Sequence, residues 1–235
     1  MKPIFLIAVN FVREQRWPIF VLMLWVMLLA FLGLFTDVRQ KDDLLFIFKL
    51  VAVYVIVFSI FFGGAAIYSE RKSRRILAVI SKGVGRAQYL TGLVLGVTIA
   101  CTIYCFSLGL TASWALGQGG FSVAQIWFLM ACLVAACILS GTVALMFSTF
   151  LNPFFAAGAT AVVLGFPAVA SHLFSGQWDY LVPVSMLVQM VMDSSFHSPE
   201  NMHWFPLAWA LVEAVFFWVV AARIFARVDI AVAVE

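Results

Sequence analysis

An uncharged stretch at residues 87–178 constrains the fold of this chain more than any other feature. The stretch contains no Lys, Arg, Asp or Glu, and most of its residues are apolar. A helix crosses the hydrocarbon core of a bilayer with about 20 apolar residues, so the stretch has room for three crossings. Turn-forming clusters at 117–120 and 152–153 divide it into three parts. We therefore expect three transmembrane helices in this region.

The composition of the whole chain agrees with a membrane location. Apolar residues make up 65% of the 235 residues and charged residues only 11%, whereas soluble domains have about 45–50% and about 25%. The 14 basic and 11 acidic residues are too few to cover a surface in water. These values exclude an ordinary soluble enzyme, a disordered chain and a nucleic-acid-binding module.

Long apolar runs outside the uncharged stretch complete a predicted set of six transmembrane helices. The fold class that we expect is an all-α integral membrane protein, with residues 1–235 forming a single transmembrane domain. The predicted spans are 17–36, 44–69, 89–116, 122–150, 153–175 and 204–224.

The basic residues predict the orientation of these spans. Lys and Arg are enriched in cytoplasmic loops near the ends of spans. If the N-terminus is cytoplasmic, the cytoplasmic segments hold 11 of the 14 basic residues, namely Lys2, Arg13, Arg16, Arg71, Lys72, Arg74, Arg75, Lys82, Arg86, Arg223 and Arg227. We therefore expect both termini on the cytoplasmic side of a multi-pass protein in the cytoplasmic (inner) membrane.

Two shorter segments are predicted to lie at the membrane surface. Residues 4–16 have apolar side chains at helical spacing (Ile4, Ile7, Ala8 and Phe11) and a basic end, which is typical of an interfacial helix. A frayed extension of the first span is the alternative. Within the external segment 176–203, residues 180–192 are mostly apolar but too few to cross. They predict a re-entrant or interfacial helix on the external face.

The segment between the second and third spans is the one soluble element of substance. Basic residues follow Glu70, and a stripe of apolar residues at helical spacing includes Ile76, Leu77 and Ile80. A turn at 81–85 follows. A solvated loop that only enforces topology is one interpretation. An amphipathic helix parallel to the membrane, which docks a soluble partner, is the other.

This segment resembles the permease subunits of ABC transporters of the ABC-2 (exporter-type) family. Members carry an acidic residue after the second span, a helix with a Leu-Leu-Ser-like ending, a turn, then Arg, an aromatic residue and a glycine-rich start to the third span. The matching positions are Glu70, 77–81, Arg86, Tyr89 and 92–96. Six spans and the length of the chain agree with this resemblance.

The resemblance implies that residues 70–82 form a coupling helix seated in a cleft of a separate ATPase subunit, with the turn continuing to 86. Glu70 would pair with basic groups of the ATPase or cap the start of the helix. The residues that it assigns to coupling are Glu70, Arg71, Arg74, Arg75, Ile76, Leu77, Ile80, Ser81 and Arg86.

The nucleotide site is expected on a partner. The sequence has no Gly-x-x-x-x-Gly-Lys-Ser/Thr motif, so ATP and Mg²⁺ would bind the ATPase and this chain would have no cofactor, metal or catalytic residue of its own. The resemblance implies two ATPase subunits, a second permease copy or a homologous permease, and transport outward as an exporter. Membrane lipid is the other expected partner, and nucleic acid is not.

Glu213 is the candidate residue within the membrane. A carboxylate near the middle of a span is costly and often functional, so Glu213 lines a substrate path or makes a structural hydrogen bond. Gly92 and Gly96 allow close helix approach, either within the subunit or at a dimer seam. The four cysteines fall within spans and are expected to be reduced packing residues.

Other functional classes stay open. A six-span secondary transporter or an assembly factor would share the same composition. An intramembrane hydrolase would need Ser140 and His172, which are the only serine–histidine candidates, and the Gly-x-Ser-Gly arrangement is absent.

Overall fold

The computed structural model describes residues 2–35, 41–72, 76, 83–117, 122–173, 181–192 and 203–227. Within these ranges the chain forms eight α-helices of more than one turn and no strand. Their bounds are α1 Lys2–Glu14, α2 Arg16–Phe35, α3 Lys41–Lys72, α4 Arg86–Gly117, α5 Val123–Ser148, α6 Pro153–Leu173, α7 Val184–Met192 and α8 Trp204–Arg227.

Five helices in the described residues are long and apolar enough to cross a membrane. The segments are Phe46–Glu70, Arg86–Trp114, Val123–Ser148, Pro153–Ser171 and Trp204–Arg227. Five long apolar helices are typical of a multi-pass membrane protein. The apolar stretch Arg16–Leu28 of α2 is shorter, so the predicted sixth crossing stays a prediction.

Helix α5 is the central element of the bundle. In its most apolar window 83% of the residues are buried, against 28% for α6 and 22% for α8. Helices α3, α4 and α8 pack around it. Because α5 is apolar on all sides, it suits a position that other helices surround.

The crossing of α3 and α5 is built from small residues. The Ser59 hydroxyl of α3 donates a hydrogen bond of 2.6 Å to the carbonyl oxygen of Cys137 on α5. A Cβ atom on Gly63 would collide with the carbonyl oxygen of Gly141 and lie 3.0 Å from the Cβ of Ala144. Small side chains therefore let the two backbones approach closely, as in other transmembrane helix pairs.

The turn between α5 and α6 coincides with the cluster at 152–153. Helix α6 begins at Pro153, and the amide of Ala156 donates to the carbonyl oxygen of Asn152 at 2.8 Å. Proline is favoured at the first position of a helix because its missing N–H would lack a helical partner there in any case. This places the start of α6 beside the end of α5.

Helix α7 packs into one end of the bundle. It has nine residues, which is too few to cross a membrane. Its buried side chains Val184, Leu187 and Val191 are part of the hydrophobic core, and its main neighbour is α5. The apolar side chains of this helix thus pack within the chain, at the end of the bundle opposite the C-termini of α3 and α8.

Candidate functional site at the junction of α3, α4 and α8

Three helix ends lie at the same end of the bundle. Helix α3 ends at Lys72, α4 begins at Arg86 and α8 ends at Arg227. We use the name junction for Glu70, Ile76, Arg86, Tyr89 and the last carbonyl groups of α8. Contacts among these groups determine how the basic segment after α3 is attached to the bundle.

Glu70 is an internal residue of the junction. Its side chain is 5% exposed, and its carboxylate lies close to the side chain of Tyr89 on α4. Tyr89 itself is 1% exposed. A buried carboxylate without a partner is costly, so this contact stabilises one relative position of α3 and α4.

The position of Glu70 adds a role within the bundle to those that the sequence suggested. Helix α3 continues through Glu70 to Lys72, so Glu70 lies in the last turn of α3. Its capping of a following helix stays a prediction, because residues 73–75 and 77–82 lie outside the described residues. Its burial also leaves little of the carboxylate for direct pairing with a soluble ATPase. The geometry favours a role in holding α3 against α4.

The start of α4 is fixed by two glycines and a glutamine. Gly83 has a φ of 81°, a left-handed conformation that glycine adopts without steric cost. The amide of Gly85 donates to the side-chain oxygen of Gln88 at 3.4 Å, and the amide of Tyr89 donates to the carbonyl oxygen of Gly85 at 3.0 Å. Gln88 thus reaches back to the N-cap as in a capping box. The cap sets the direction in which Arg86 and Tyr89 leave the turn.

Arg86 joins the start of α4 to the end of α8. Its Nη1 donates to the carbonyl oxygens of Phe225 at 3.1 Å and Ala226 at 3.0 Å. The last carbonyl groups of a helix lack intrahelical donors, and a cation there also interacts favourably with the helix dipole. Arg86 therefore caps α8 from an element 139 residues away in sequence.

The structure describes only some of the other residues assigned to coupling. Ile76 is 1% exposed and belongs to the hydrophobic core, and Arg71 lies on α3. The structure brings Glu70, Ile76 and Arg86 to the junction. The predictions for Arg74, Arg75, Leu77, Ile80 and Ser81 lie outside the described residues.

Gly92 and Gly96 receive α1 of the same chain. A Cβ atom on Gly92 would lie 2.7 Å from the Cβ of Ile7 and 3.1 Å from the carbonyl oxygen of Ile4. A Cβ atom on Gly96 would lie 2.8 Å from Cδ1 of Phe11. Of the two uses predicted for these glycines, the structure shows close packing within the subunit. The placement of α1 in the headgroup plane stays a prediction.

Glu213 is about 18 Å along α8 from Phe225, at 1.5 Å per residue. It is half-buried. Its carboxylate lies close to the Trp209 side chain, while Oε2 has no hydrogen-bond partner among the described residues. An apolar cleft of about 390 Å³ between α4, α5 and α8 is lined by residues that include Trp127 and Leu207, but not by Glu213.

The cysteines and Ser140 are packed in the interior of the bundle. All four cysteines are buried and free. Ser140 is 0% exposed, and its hydroxyl donates to the carbonyl oxygen of Cys137 at 3.3 Å. Among the described residues there is no group of three or more His, Cys, Asp or Glu side chains arranged to hold a metal ion.

The fold and the junction define a multi-pass helical membrane protein with a basic segment anchored between two of its helices. Comparison of the sequence with models of known families and with curated proteins finds no match.

Sequence reasoning missed the partners of three residues at this site. The sequence marks Tyr89 as an aromatic position but not as the neighbour of Glu70, and it indicates neither the carbonyl acceptors of Arg86 nor the contact of α1 with Gly92. The spacing of Gly92 and Gly96 was the only local signal for any of these contacts. It indicates close approach but does not name the partner helix.

Proposed function

We propose that this chain is the transmembrane permease subunit of an ABC transporter of the ABC-2 type. In this proposal ATP and Mg²⁺ bind a separate ATPase subunit, present in two copies, and ATP hydrolysis drives export of a substrate. A second copy of the chain, or a homologous permease, completes the pathway. The protein lies in the cytoplasmic (inner) membrane with six spans and both termini in the cytoplasm.

The observation that carries the proposal is the attachment of the basic segment on both sides. Before the segment, Glu70 contacts Tyr89 on α4. After the segment, Arg86 is bonded to the end of α8. A partner that moves the segment would therefore move α3, α4 and α8 together, which is what a coupling element has to do.

The charge of the segment suits a docking role. Residues 71–86 carry six basic side chains and no acidic one, while the apolar Ile76 is buried in the core. A helix that buries one face in its own bundle and keeps basic residues available would present a cationic surface to a soluble subunit. Glu213, with one carboxylate oxygen unpartnered among the described residues, is the residue that we assign to the substrate path.

Co-purification with an ATPase tests the proposal. The full-length chain, tagged and expressed in its native host, is expected to retain a polypeptide with a Gly-x-x-x-x-Gly-Lys-Ser/Thr motif at close to one copy per chain. The double variant Arg74→Glu/Arg75→Glu is expected to lose it, because reversal of two charges replaces attraction by repulsion at the contact. Mass spectrometry of the eluate measures both results.

The matched control is Arg223→Glu/Arg227→Glu, which reverses two exposed arginines on α8. It is expected to keep the ATPase. Absence of any such ATPase from the wild-type eluate, in mild detergent and after crosslinking in cells, would count against the permease assignment. Equal loss in both double variants would count against 70–86 as the docking segment.

A further inference from the structure

The corner between α1 and α2 holds a basic cleft that the proposed function does not use. The helical hydrogen-bond pattern runs across the corner, since Gln15 N–H donates to Phe11 and Ile19 N–H to Gln15, both at 3.0 Å. Pro18 has no N–H to donate at this point, which weakens the helix locally. A cleft of about 460 Å³ opens there, lined by Asn10, Arg13, Glu14, Arg16 and Trp17.

The lining has the chemistry of an anion site with an aromatic wall. Arg13 and Arg16 are exposed and outnumber the single carboxylate of Glu14, so the cleft carries net positive charge. The guanidinium carbon of Arg16 lies 6.0 Å from the centroid of the Trp17 ring, within the range of a cation–π contact. A guanidinium group presents N–H donors in a planar fork, which can bind two oxygens of one phosphate at once.

The length of α2 places this cleft at the depth of lipid phosphates. Helix α2 has 20 residues, or about 30 Å at 1.5 Å per residue, which equals the thickness of the hydrocarbon core. Its first residue is Arg16, so the cleft lies where the core ends. The depth of the cleft follows from α2 crossing the membrane, and it does not depend on the chain being a permease.

Both helices that form the cleft also carry exposed apolar side chains. Phe5 and Leu6 on α1 are 59% and 65% exposed, and Trp17 and Phe20 on α2 are 66% and 57% exposed. Tryptophan is enriched where the hydrocarbon core meets the headgroups. Exposed apolar side chains on the same two helices as a basic cleft match a ligand that has both a phosphate and acyl chains. A soluble phosphate compound has no acyl chains.

We propose that the corner between α1 and α2 binds the headgroup phosphate of an anionic membrane phospholipid. Arg13 and Arg16 donate hydrogen bonds to the phosphate oxygens, and the Trp17 ring lies beside the glycerol backbone. Phe5 and Leu6 contact the acyl chains. The bound lipid ties the N-terminal helix, and through Gly92 and Gly96 the start of α4, to the membrane surface.

Native mass spectrometry of the full-length protein tests this site. The purified chain is mixed with equimolar phosphatidylglycerol and phosphatidylcholine, and the retained lipid is counted. The wild type is expected to prefer phosphatidylglycerol. Arg13→Gln/Arg16→Gln is expected to lower the affinity for phosphatidylglycerol about 30-fold, because each basic residue near an anionic lipid contributes roughly fivefold.

The control variant is Arg223→Gln/Arg227→Gln, which removes the same charge from exposed positions on α8 and is expected to change the affinity less than about twofold. Equal loss in the two double variants would mean diffuse attraction and would overturn the site. Displacement of the lipid by millimolar inorganic phosphate or glycerol 3-phosphate would assign the cleft to a soluble ligand. Should the double variant fail to give a monodisperse protein, Arg13→Gln and Arg16→Gln are tested singly, each with a loss of about fivefold expected.

Discussion

Gly63 illustrates how single residues set the distance between helices in this bundle. The carbonyl oxygen of Gly141 occupies the space that a side chain on Gly63 would need, and the Ser59 hydroxyl lies in the same crossing, where it donates to Cys137. The obstacle is backbone and not the end of a flexible side chain. It therefore yields only if α3 and α5 move apart.

We expect Gly63→Ala to destabilise the protein by about 1–3 kcal/mol, the usual cost of adding volume to a packed interior. From the usual relation between free energy of unfolding and unfolding temperature in chains of this size, the midpoint of thermal unfolding should fall by about 5 °C. Thermal unfolding of the purified protein in detergent, followed by tryptophan fluorescence, measures the shift.

The adjacent Gly64→Ala is the matched control. Its Cβ would lie 3.4 Å from the carbonyl oxygen of Pro153, close to ordinary contact, while its change in helix propensity is the same as at Gly63. Its midpoint should stay within about 1 °C of the wild type, as for a substitution that meets no obstacle. Equal shifts at Gly63 and Gly64 would show that the crossing is looser than the structure describes.

Helices α4 and α8 are joined at the junction by one side chain. Arg86 supplies both hydrogen bonds to the last carbonyl groups of α8, and hydrogen bonds to a charged group contribute about 1.5–3 kcal/mol in proteins. Without them the end of α8 would fray. Any motion passed from the basic segment to α8 would then be lost at this contact.

We expect Arg86→Gln to raise hydrogen exchange in residues 218–227 by at least about tenfold, since a loss of about 1.5 kcal/mol, the lower end of that range, changes the open population by about this factor. Hydrogen exchange measured by mass spectrometry on the purified protein gives this value. Arg227→Gln, which removes an exposed arginine from the same helix end, should leave exchange unchanged. An Arg86 variant with wild-type exchange would show that α8 holds its own end.

Contacts of this kind also mark where prediction from the sequence stops. The positions of α3, α4, α5, α6 and α8 follow from long apolar runs with at most two charged residues in each predicted span. Charges are costly in the bilayer core, and their scarcity is a local property of the sequence. The acceptors of Arg86 and the partner of Gly92 are fixed by how distant helices pack. A glycine pair indicates that some helix approaches, and only the fold shows that the helix is α1.

The same distinction holds for Glu70. An acidic residue followed by basic residues and an apolar stripe reads locally as the start of an exposed helix. Helix α3 continues through Lys72 and the side chain of Glu70 is buried close to Tyr89, so Glu70 is an internal residue instead. Burial depends on the neighbouring helix, which the local pattern does not specify.

Across the whole molecule, burial is uneven. Helix α5 is enclosed by its neighbours, whereas α6 and α8 leave most of their apolar surface outside the chain. In a membrane this surface meets lipid or another protein. A single bundle with one enclosed central helix has little internal room for a substrate path, which agrees with the proposed pairing of two permease chains.

The number of crossings decides the orientation of the whole chain. With six spans both termini are on the side of residue 82, because an even number of crossings returns the chain to its starting side. If α2 does not cross, five spans remain and the N-terminus lies on the opposite side from residue 82. Position 2 therefore distinguishes the two arrangements, while position 227 is on the side of residue 82 in both.

Cysteine labelling in intact cells measures this directly. In a variant with the four buried native cysteines replaced by alanine, Lys2→Cys, Lys82→Cys and Arg227→Cys are each tested with a membrane-impermeant maleimide. We expect all three to react only after the membrane is permeabilised, and Gln118→Cys to react without permeabilisation. Reaction of Lys2→Cys in intact cells would remove α2 from the set of spans. The lipid cleft would then no longer be placed at the depth of lipid phosphates, because α2 would not fix Arg16 at the boundary of the hydrocarbon core.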